Sequence, residues 1–129
     1  MKLTKADGDD DGAGNVLVNA YGDRGFRVGE TRFNGSLVIV NGRARAWGVA
    51  TVADMTPASL AVLENADPAV EIVLVGTGAE LAFLPGAVRD WLERAGINVD
   101  VMDTGAAART YNVLALEGRR VAAALIAVP

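Results

Sequence analysis

The fold is decided by residues 71–103, EIVLVGTGAELAFLPGAVRDWLERAGINVDVMD. Its first six residues form an almost continuous apolar run, which is typical of a strand covered on both faces. Residues 85–95 then place apolar side chains at helical spacing, and Gly96 follows as a helix stop. Residues 97–103 return to a strand pattern. This order predicts a parallel strand–helix–strand unit with a right-handed crossover.

The chain continues this pattern toward its C-terminus. Residues 106–117 predict another helix, and residues 119–128 predict the last strand. Strands that alternate with helices after an N-terminal run of strands indicate an α/β layered fold. In such a sheet, ligands usually bind beyond the carboxyl ends of the parallel strands.

The N-terminal third is rich in strand signals. Asn34-Gly35 and Asn41-Gly42 predict hairpin turns, because type I′ turns need positive φ at both central residues. Imperfect alternation around Gly29 predicts a β-bulge. The predicted strands are residues 16–21, 26–33, 36–40 and 43–49.

A helix is expected after this strand-rich part. Thr56 is a favourable N-cap, and Pro57 follows at the first helical position. Leu60, Leu63 and Ala66 then form its apolar side.

Length and composition exclude several classes of function. A chain of 129 residues suggests one domain, here residues 16–129, and its net charge of −4 argues against strong nucleic-acid binding. Because the chain has no His and no Cys, it lacks a Ser-His-Asp triad, a thiol nucleophile and a thiolate zinc site. Both lysines, Lys2 and Lys5, lie near the N-terminus, which makes a buried Schiff-base lysine implausible.

The N-terminal residues 1–15 read as a disordered acidic leader. Asp7-Gly-Asp-Asp-Asp-Gly12 matches the first half of a calcium loop, but Val18 stands where the bidentate Glu should be. We therefore expect no metal site. The leader also lacks a signal-peptide pattern, and no apolar run reaches the ~20 residues that span a bilayer. Together with the absence of Cys, this predicts a cytoplasmic protein.

A candidate ligand site lies where two predicted parallel strands end. Gly76-Thr77-Gly78 begins like a dinucleotide fingerprint, but Leu81 occupies the third glycine position. A tight strand-exit turn with no ligand explains the same residues. Asp103 and Thr104 follow the neighbouring strand and also suit a helix N-cap.

Polar residues continue into the following helix. Arg109 could hold a carboxylate or another anion by bidentate hydrogen bonds. Thr110, Tyr111, Asn112 and Glu117 would complete that site. The structural alternative is tyrosine packing and internal pairing of Glu117 with one of the two arginines that follow it.

Arginine and tryptophan mark a second candidate surface. Residues 21–50 hold five Arg against two acidic residues, whereas residues 51–108 hold two Arg against nine acidic residues. Arg43 and Arg45 flank Trp47 on a predicted strand. Trp47 is expected to be a core or rim aromatic; if it is exposed, it is a suitable anchor for a protein partner.

Several stretches resemble a known family. Residues 101–104 (VMDT), 109–112 (RTYN) and 117–120 (EGRR), together with EIVLVGTG at residues 71–78, agree with it in order and spacing. This is the small domain-of-unknown-function family that includes the mitochondrial respiratory complex I (NADH dehydrogenase) assembly factor 3 and an adipogenesis-associated cytosolic protein. At Ala108, where many members carry a cysteine, this chain departs from the pattern.

The resemblance implies a three-layer α/β fold, with a central, mixed and largely parallel sheet, helices, and an additional N-terminal β-hairpin layer. It implies no established enzyme activity, because the mitochondrial relative acts as a non-catalytic assembly factor with a partner protein, and we expect no cofactor. We therefore expect a non-enzymatic binding or assembly-factor-like module with a protein partner, as a monomer or small homo-oligomer. The alternative is a protein, enzymatic or not, that binds a small anionic metabolite at the strand ends.

Overall fold

The computed structural model describes residues 16–129. The predicted leader and its calcium-loop-like run therefore lie outside the described residues. Eight strands, two α-helices and two 3₁₀ segments follow one another in this part of the chain. Their bounds are β1 Val18–Gly22, β2 Gly25–Val28, β3 Thr31–Asn34, β4 Ser36–Val40, β5 Arg43–Trp47, the 3₁₀ segments Val52–Asp54 and Pro57–Leu63, β6 Ile72–Gly76, α1 Gly86–Arg94, β7 Asn98–Met102, α2 Thr104–Leu116 and β8 Val121–Leu125.

A five-stranded mixed sheet forms the centre, in the order β5-β4-β8-β6-β7. Strands β6, β7 and β8 are parallel to one another, and β4 is antiparallel to both β8 and β5. The predicted parallel pairing of the strands on either side of α1 is thus confirmed. Residues 121–125 (VAAAL) lie in the middle of the sheet, and their small side chains let both flanking layers approach closely.

The sheet separates two cores, so that the chain folds in three layers. On one face, Val88 and Leu92 of α1 and two leucines of the second 3₁₀ segment cover Val73 and Val75. The opposite face is covered by α2 together with Phe26 and its neighbours in the small sheet. The predicted mixed α/β architecture is confirmed.

Strands β1, β2 and β3 form a separate antiparallel sheet. The prediction of one bulged strand over residues 26–33 is wrong, because Val28 pairs with Thr31 across a two-residue turn at Gly29 and Glu30. Gly29 adopts a φ of 61° there, which suits a tight turn as well as a bulge. The register irregularity of this sheet lies instead in β1, between Val18 and Ala20.

The two Asn-Gly pairs have different outcomes. Asn41 and Gly42 have φ angles of 53° and 75° and join β4 to β5 as the predicted hairpin turn. The hairpin prediction at Asn34-Gly35 is wrong, because the chain passes there from the small sheet into the central one. Gly35 makes that passage with a φ of 85°.

The helix expected after Thr56 is a 3₁₀ segment over Pro57–Leu63. Thr56 caps it as predicted, in a reciprocal capping box with Ser59. Leu60 and Leu63 are buried, and their spacing of three residues matches the 3₁₀ repeat. No helix within residues 16–129 combines the length and the apolar character needed to cross a membrane.

Candidate functional site

The carboxyl ends of β6 and β7 meet as the sequence predicts. The amide of Thr77 donates to the carbonyl of Met102 at 2.9 Å, and the amide of Thr104 donates to the carbonyl of Gly78 at 2.8 Å. The Gly76–Gly78 turn therefore lies directly beside the start of α2. Five of the ten candidate ligand residues come together in this way, namely Gly76, Thr77, Gly78, Asp103 and Thr104.

Thr104 is the centre of this group. Its side chain is completely buried, and its hydroxyl donates to the carbonyl of Ile126 at 2.7 Å while accepting from the amide of Gly78 at 2.9 Å. The capping residue of α2 is Asp103, whose carboxylate accepts from the amide of Ala106 at 3.0 Å. Thr104 thus joins the end of β6, the end of β8 and the start of α2.

Gly76 is required by this close approach. A Cβ at this position would lie 2.8 Å from the Cα of Thr104, so a larger residue would force two backbones apart. The amides of Thr77 and Gly78 are both engaged by internal acceptors. In a dinucleotide site, by contrast, such amides point at a phosphate. We call these contacts, from Gly76 to Gly78 and at Thr104, the strand-exit cluster.

Thr77 orders the loop that follows. Its hydroxyl accepts from the amide of Ala82 at 3.1 Å and donates to the carbonyl of Glu80 at 2.8 Å. The loop nevertheless displays Leu81 and Phe83, which are 66% and 88% exposed. No sequence pattern marks these two residues as a surface feature, because their apolar type alone favours the core.

Tyr111 and Asn112 hold β1 against α2. The Asn112 side chain accepts from the amide of Val18 and donates to its carbonyl, both at 2.9 Å. The hydroxyl of Tyr111 donates to the carbonyl of Val16 at 2.7 Å. Burial raises the pKa of Tyr111 above its ordinary value, so the phenol is neutral. Both polar side chains therefore join two elements of the fold.

Among residues 16–129, the other three candidate residues of α2 form no hydrogen bond with the strand-exit cluster. Arg109 is exposed, and its guanidinium donates to the hydroxyl of Tyr21 at 3.3 Å. Thr110 faces Met102, with an oxygen–sulfur distance of 3.5 Å. Glu117 is exposed at the C-cap of the helix. Hydrogen bonds among the described residues thus do not join these three side chains to the turn at Gly76–Gly78.

The arginines after α2 contact residues other than Glu117. Arg119 pairs with Glu71, with 3.5 Å between Nε and Oε1. Arg120 donates from Nε to the carbonyl of Ala69 at 3.0 Å. The expected internal pairing with Glu117 is therefore wrong, because both arginines reach the segment that leads into β6.

Strand β5, at the edge of the central sheet opposite β7, carries the second candidate surface. Arg43 and Arg45 are exposed on this edge strand. Trp47, however, is only 8% exposed, and its indole N–H donates to the carbonyl of Ser59 at 2.8 Å. Trp47 is therefore not exposed, as a partner anchor would have to be. Its ring instead holds β5 against the second 3₁₀ segment.

A shallow depression of about 440 Å³ lies on the surface between α1 and β7. Arg89, Asp90 and Glu93 line it from the helix, and Asn98 and Val99 from the strand. No sequence motif points to this depression, and it lies outside the strand-exit cluster. Within residues 16–129, no three acidic side chains are grouped as a metal site would require.

These features define a small three-layer α/β domain whose strand ends are closed by internal hydrogen bonds. The chain belongs to the family described as Protein of unknown function (DUF498/DUF598), whose model matches residues 18–126. The resemblance to the family of complex I assembly factor 3 is thereby confirmed.

Among curated relatives, an uncharacterised protein of Rhodobacter capsulatus is 38% identical over 117 residues, which cover 91% of this chain and 89% of that protein. The NADH dehydrogenase [ubiquinone] 1 alpha subcomplex assembly factor 3 of Mus musculus is 36% identical over 114 residues. That match covers 88% of this chain and 62% of the assembly factor. The chain thus spans less than two thirds of the assembly factors that it resembles.

Solved structures share the fold. A protein of Bartonella henselae, described as an outer membrane protein, superimposes with a TM-score of 0.81 at 37% identity, over 89% of this chain and 97% of that one. A Bordetella pertussis protein described as a Mth938-like domain gives a TM-score of 0.76 at 32% identity, over 98% and 92% of the two chains.

Proposed function

We propose that the chain is a non-enzymatic protein-binding module that helps to assemble a larger complex. Support comes from the relatives named as NADH dehydrogenase assembly factors, which are 34–36% identical to it in rat and mouse. Because the chain spans only 62% of their length, their role is carried over as part of this proposal. A cytoplasmic location belongs to the proposal as well and is supported by a sequence without Cys.

The observation that carries the proposal is the arginine-bearing edge strand β5. Arg43 and Arg45 are exposed and, being two residues apart, lie on the same face of the strand. Among residues 16–129, neither forms an ion pair. Arginine is favoured at protein interfaces, where its guanidinium binds carboxylates by two parallel hydrogen bonds. We therefore expect the partner to bind along this edge through an acidic segment.

Trp47 contributes to this surface indirectly. Its indole fixes the end of β5 to the carbonyl of Ser59, so the strand that carries the two arginines is held in place. A rigid strand loses little conformational freedom on binding, which favours affinity.

The alternative function, binding of a small anionic metabolite, has weaker geometric support. The amides of Thr77 and Gly78 already donate within the protein. Tyr111 and Asn112 are engaged with β1, which leaves Arg109 as the exposed cation of the proposed ligand set.

The experiment is affinity purification of the tagged full chain from its source cell, read by mass spectrometry. We expect subunits of NADH dehydrogenase, or one stoichiometric partner, to be recovered with the wild type. The variant Arg43→Glu/Arg45→Glu should lose this recovery, because acidic side chains would face an acidic segment. The matched control is Arg89→Glu/Arg94→Glu, which makes the same change of charge on the exposed side of α1. Equal recovery with wild type and the β5 variant would contradict the proposal.

A further inference from the structure

Helix α2 has an unusual composition for a helix with one open face. Of its thirteen residues, only Arg109 is charged, whereas four of the nine residues of α1 are charged. Val113 and Leu116 are 54% and 64% exposed on the outside of α2. A helix that is apolar all round is typical of a helix covered on every side. The outer side of α2 therefore has the character of an interface.

The exposed residues form one stripe. Arg109, Val113 and Leu116 are separated by four and three residues, which places them on the same face of the helix. Glu117 continues this stripe at the C-cap. We call these four residues the outer stripe of α2. The buried face of the helix points the other way, with Tyr111 and Ala115 against the central sheet.

The outer stripe is complementary to itself. Arg109 lies four residues before Val113, and Glu117 lies four residues after it. If two copies of the helix pack antiparallel with a twofold axis at Val113, Arg109 faces Glu117 of the partner subunit, and the same pair forms a second time. The two pairs would be about 12 Å apart along the helix, with the apolar side chains between them.

We propose that this face is where a second copy of the chain binds, as a twofold dimer through the outer stripe of α2. In the part of the chain that the structure describes, both charged side chains lack a partner of opposite charge. There, the guanidinium of Arg109 lies beside Gly105 and donates one hydrogen bond, to the hydroxyl of Tyr21, and neither Arg109 nor Glu117 has an ion pair. Glu117 also sits at the C-terminal end of its helix, where the helix dipole disfavours a negative charge. An arginine from a second copy removes this penalty.

The dimer is weak and depends on concentration. One pair of short helices buries less than the roughly 1,200 Å² of a stable interface. The two ion pairs are at the rim, so they fix the antiparallel register, and the apolar side chains supply most of the affinity.

The experiment is sedimentation velocity of the full chain from about 10 µM to about 1 mM, the range in which small interfaces associate. We expect the wild type to shift from monomer to dimer. Arg109→Glu should weaken the dimer about tenfold or more, because each of two attractive pairs becomes repulsive. Glu117→Arg should do the same. The double variant Arg109→Glu/Glu117→Arg should restore the dimer, since it exchanges the charges and keeps their complementarity.

Two control variants test the specificity of this effect. Tyr21→Phe removes the hydrogen bond to Arg109 and keeps its charge, and Arg89→Glu changes the net charge elsewhere; both should dimerise as the wild type does. Val113→Glu, which brings two carboxylates together on the axis, should abolish the dimer. A wild type that stays monomeric to 1 mM would overturn the proposal. A dimer that Arg109→Glu leaves intact, or that the double variant does not restore, would also overturn it. None of these results depends on the arginines of β5.

Discussion

Replacing Thr104 by valine removes one hydroxyl from the centre of the strand-exit cluster and keeps its shape. The side chain is 0% exposed, so water does not replace the lost group. Two backbone groups lose their partner at once, the amide of Gly78 and the carbonyl of Ile126. A buried polar group left without a partner costs about 1–3 kcal/mol, so the expected loss for two groups is about 2–6 kcal/mol. This is a large part of the 5–15 kcal/mol that is typical of a folded domain.

The assay is urea unfolding, followed by the fluorescence of the two tryptophans. With an m value of about 2 kcal/mol/M, typical of a small domain in urea, the midpoint should fall by about 1–3 M. Thr110→Val is the matched control, because it removes a hydroxyl from a half-buried position of the same helix and should change stability by less than about 0.5 kcal/mol.

A second variant separates the hydroxyl from the methyl group. Thr104→Ser keeps both hydrogen bonds and should lose only about 0.5–1.5 kcal/mol, the usual value for one buried methyl group. The reasoning is refuted if Thr104→Val unfolds at the same urea concentration as Thr110→Val. It also fails if Thr104→Ser is as unstable as Thr104→Val.

Three further variants test other contacts by the same unfolding assay. Gly76→Ala should destabilise the fold by about 1–3 kcal/mol, since the added Cβ would lie 2.8 Å from the backbone of Thr104. Asn112→Ala should cost about 2–4 kcal/mol, because it removes both hydrogen bonds to the backbone of Val18. Because burial raises the pKa of Tyr111, the folded protein holds the phenol proton more tightly than the unfolded chain does. Stability should therefore fall as the pH rises above about 10, the ordinary pKa of tyrosine, and it should fall less in Tyr111→Phe.

The contradicting outcomes differ for each of these variants. A Gly76→Ala protein as stable as wild type would mean that the approach of Thr104 is looser than described. Asn112→Ala would contradict the account if β1 kept its amide protection in hydrogen exchange. For Tyr111, if the stability of wild type and of Tyr111→Phe fell equally above pH 10, the phenol would not be the cause of the loss.

Local signals sufficed for much of the central sheet. The apolar run of residues 71–76 and the helix pattern that follows it predict the parallel pair β6 and β7, because periodicity and helix stops are encoded within a short window. The hairpin turn at Asn41-Gly42 follows in the same way from the positive φ that both residues accept.

Elements that depend on distant pairing were not predictable. Gly29 fits a bulge and a two-residue turn equally well, and only the pairing of Val28 with Thr31 decides between them. At Asn34-Gly35 the chain leaves one sheet for another. That change of sheet depends on the packing of β4 against β8, whose residues lie about ninety positions further on.

The candidate site shows the same division. That Gly76–Gly78 would lie beside Asp103 and Thr104 follows from the parallel strands. The hydroxyl of Thr104, however, also binds the carbonyl of Ile126, and no local pattern connects these two residues. Trp47 is comparable: the sequence left open whether its ring is exposed, and in the structure the ring packs in the core beside the carbonyl of Ser59.

The proposed role of the chain, assembly of a larger complex through β5, can be measured in the source cell. The measurement is the amount of assembled NADH dehydrogenase on a native gel, in a strain that lacks the gene and carries either the wild type or Arg43→Glu/Arg45→Glu. The account predicts a loss of the assembled complex without the gene, restored by the wild type and not by the β5 variant at equal protein level. An undiminished complex in the strain without the gene would contradict it.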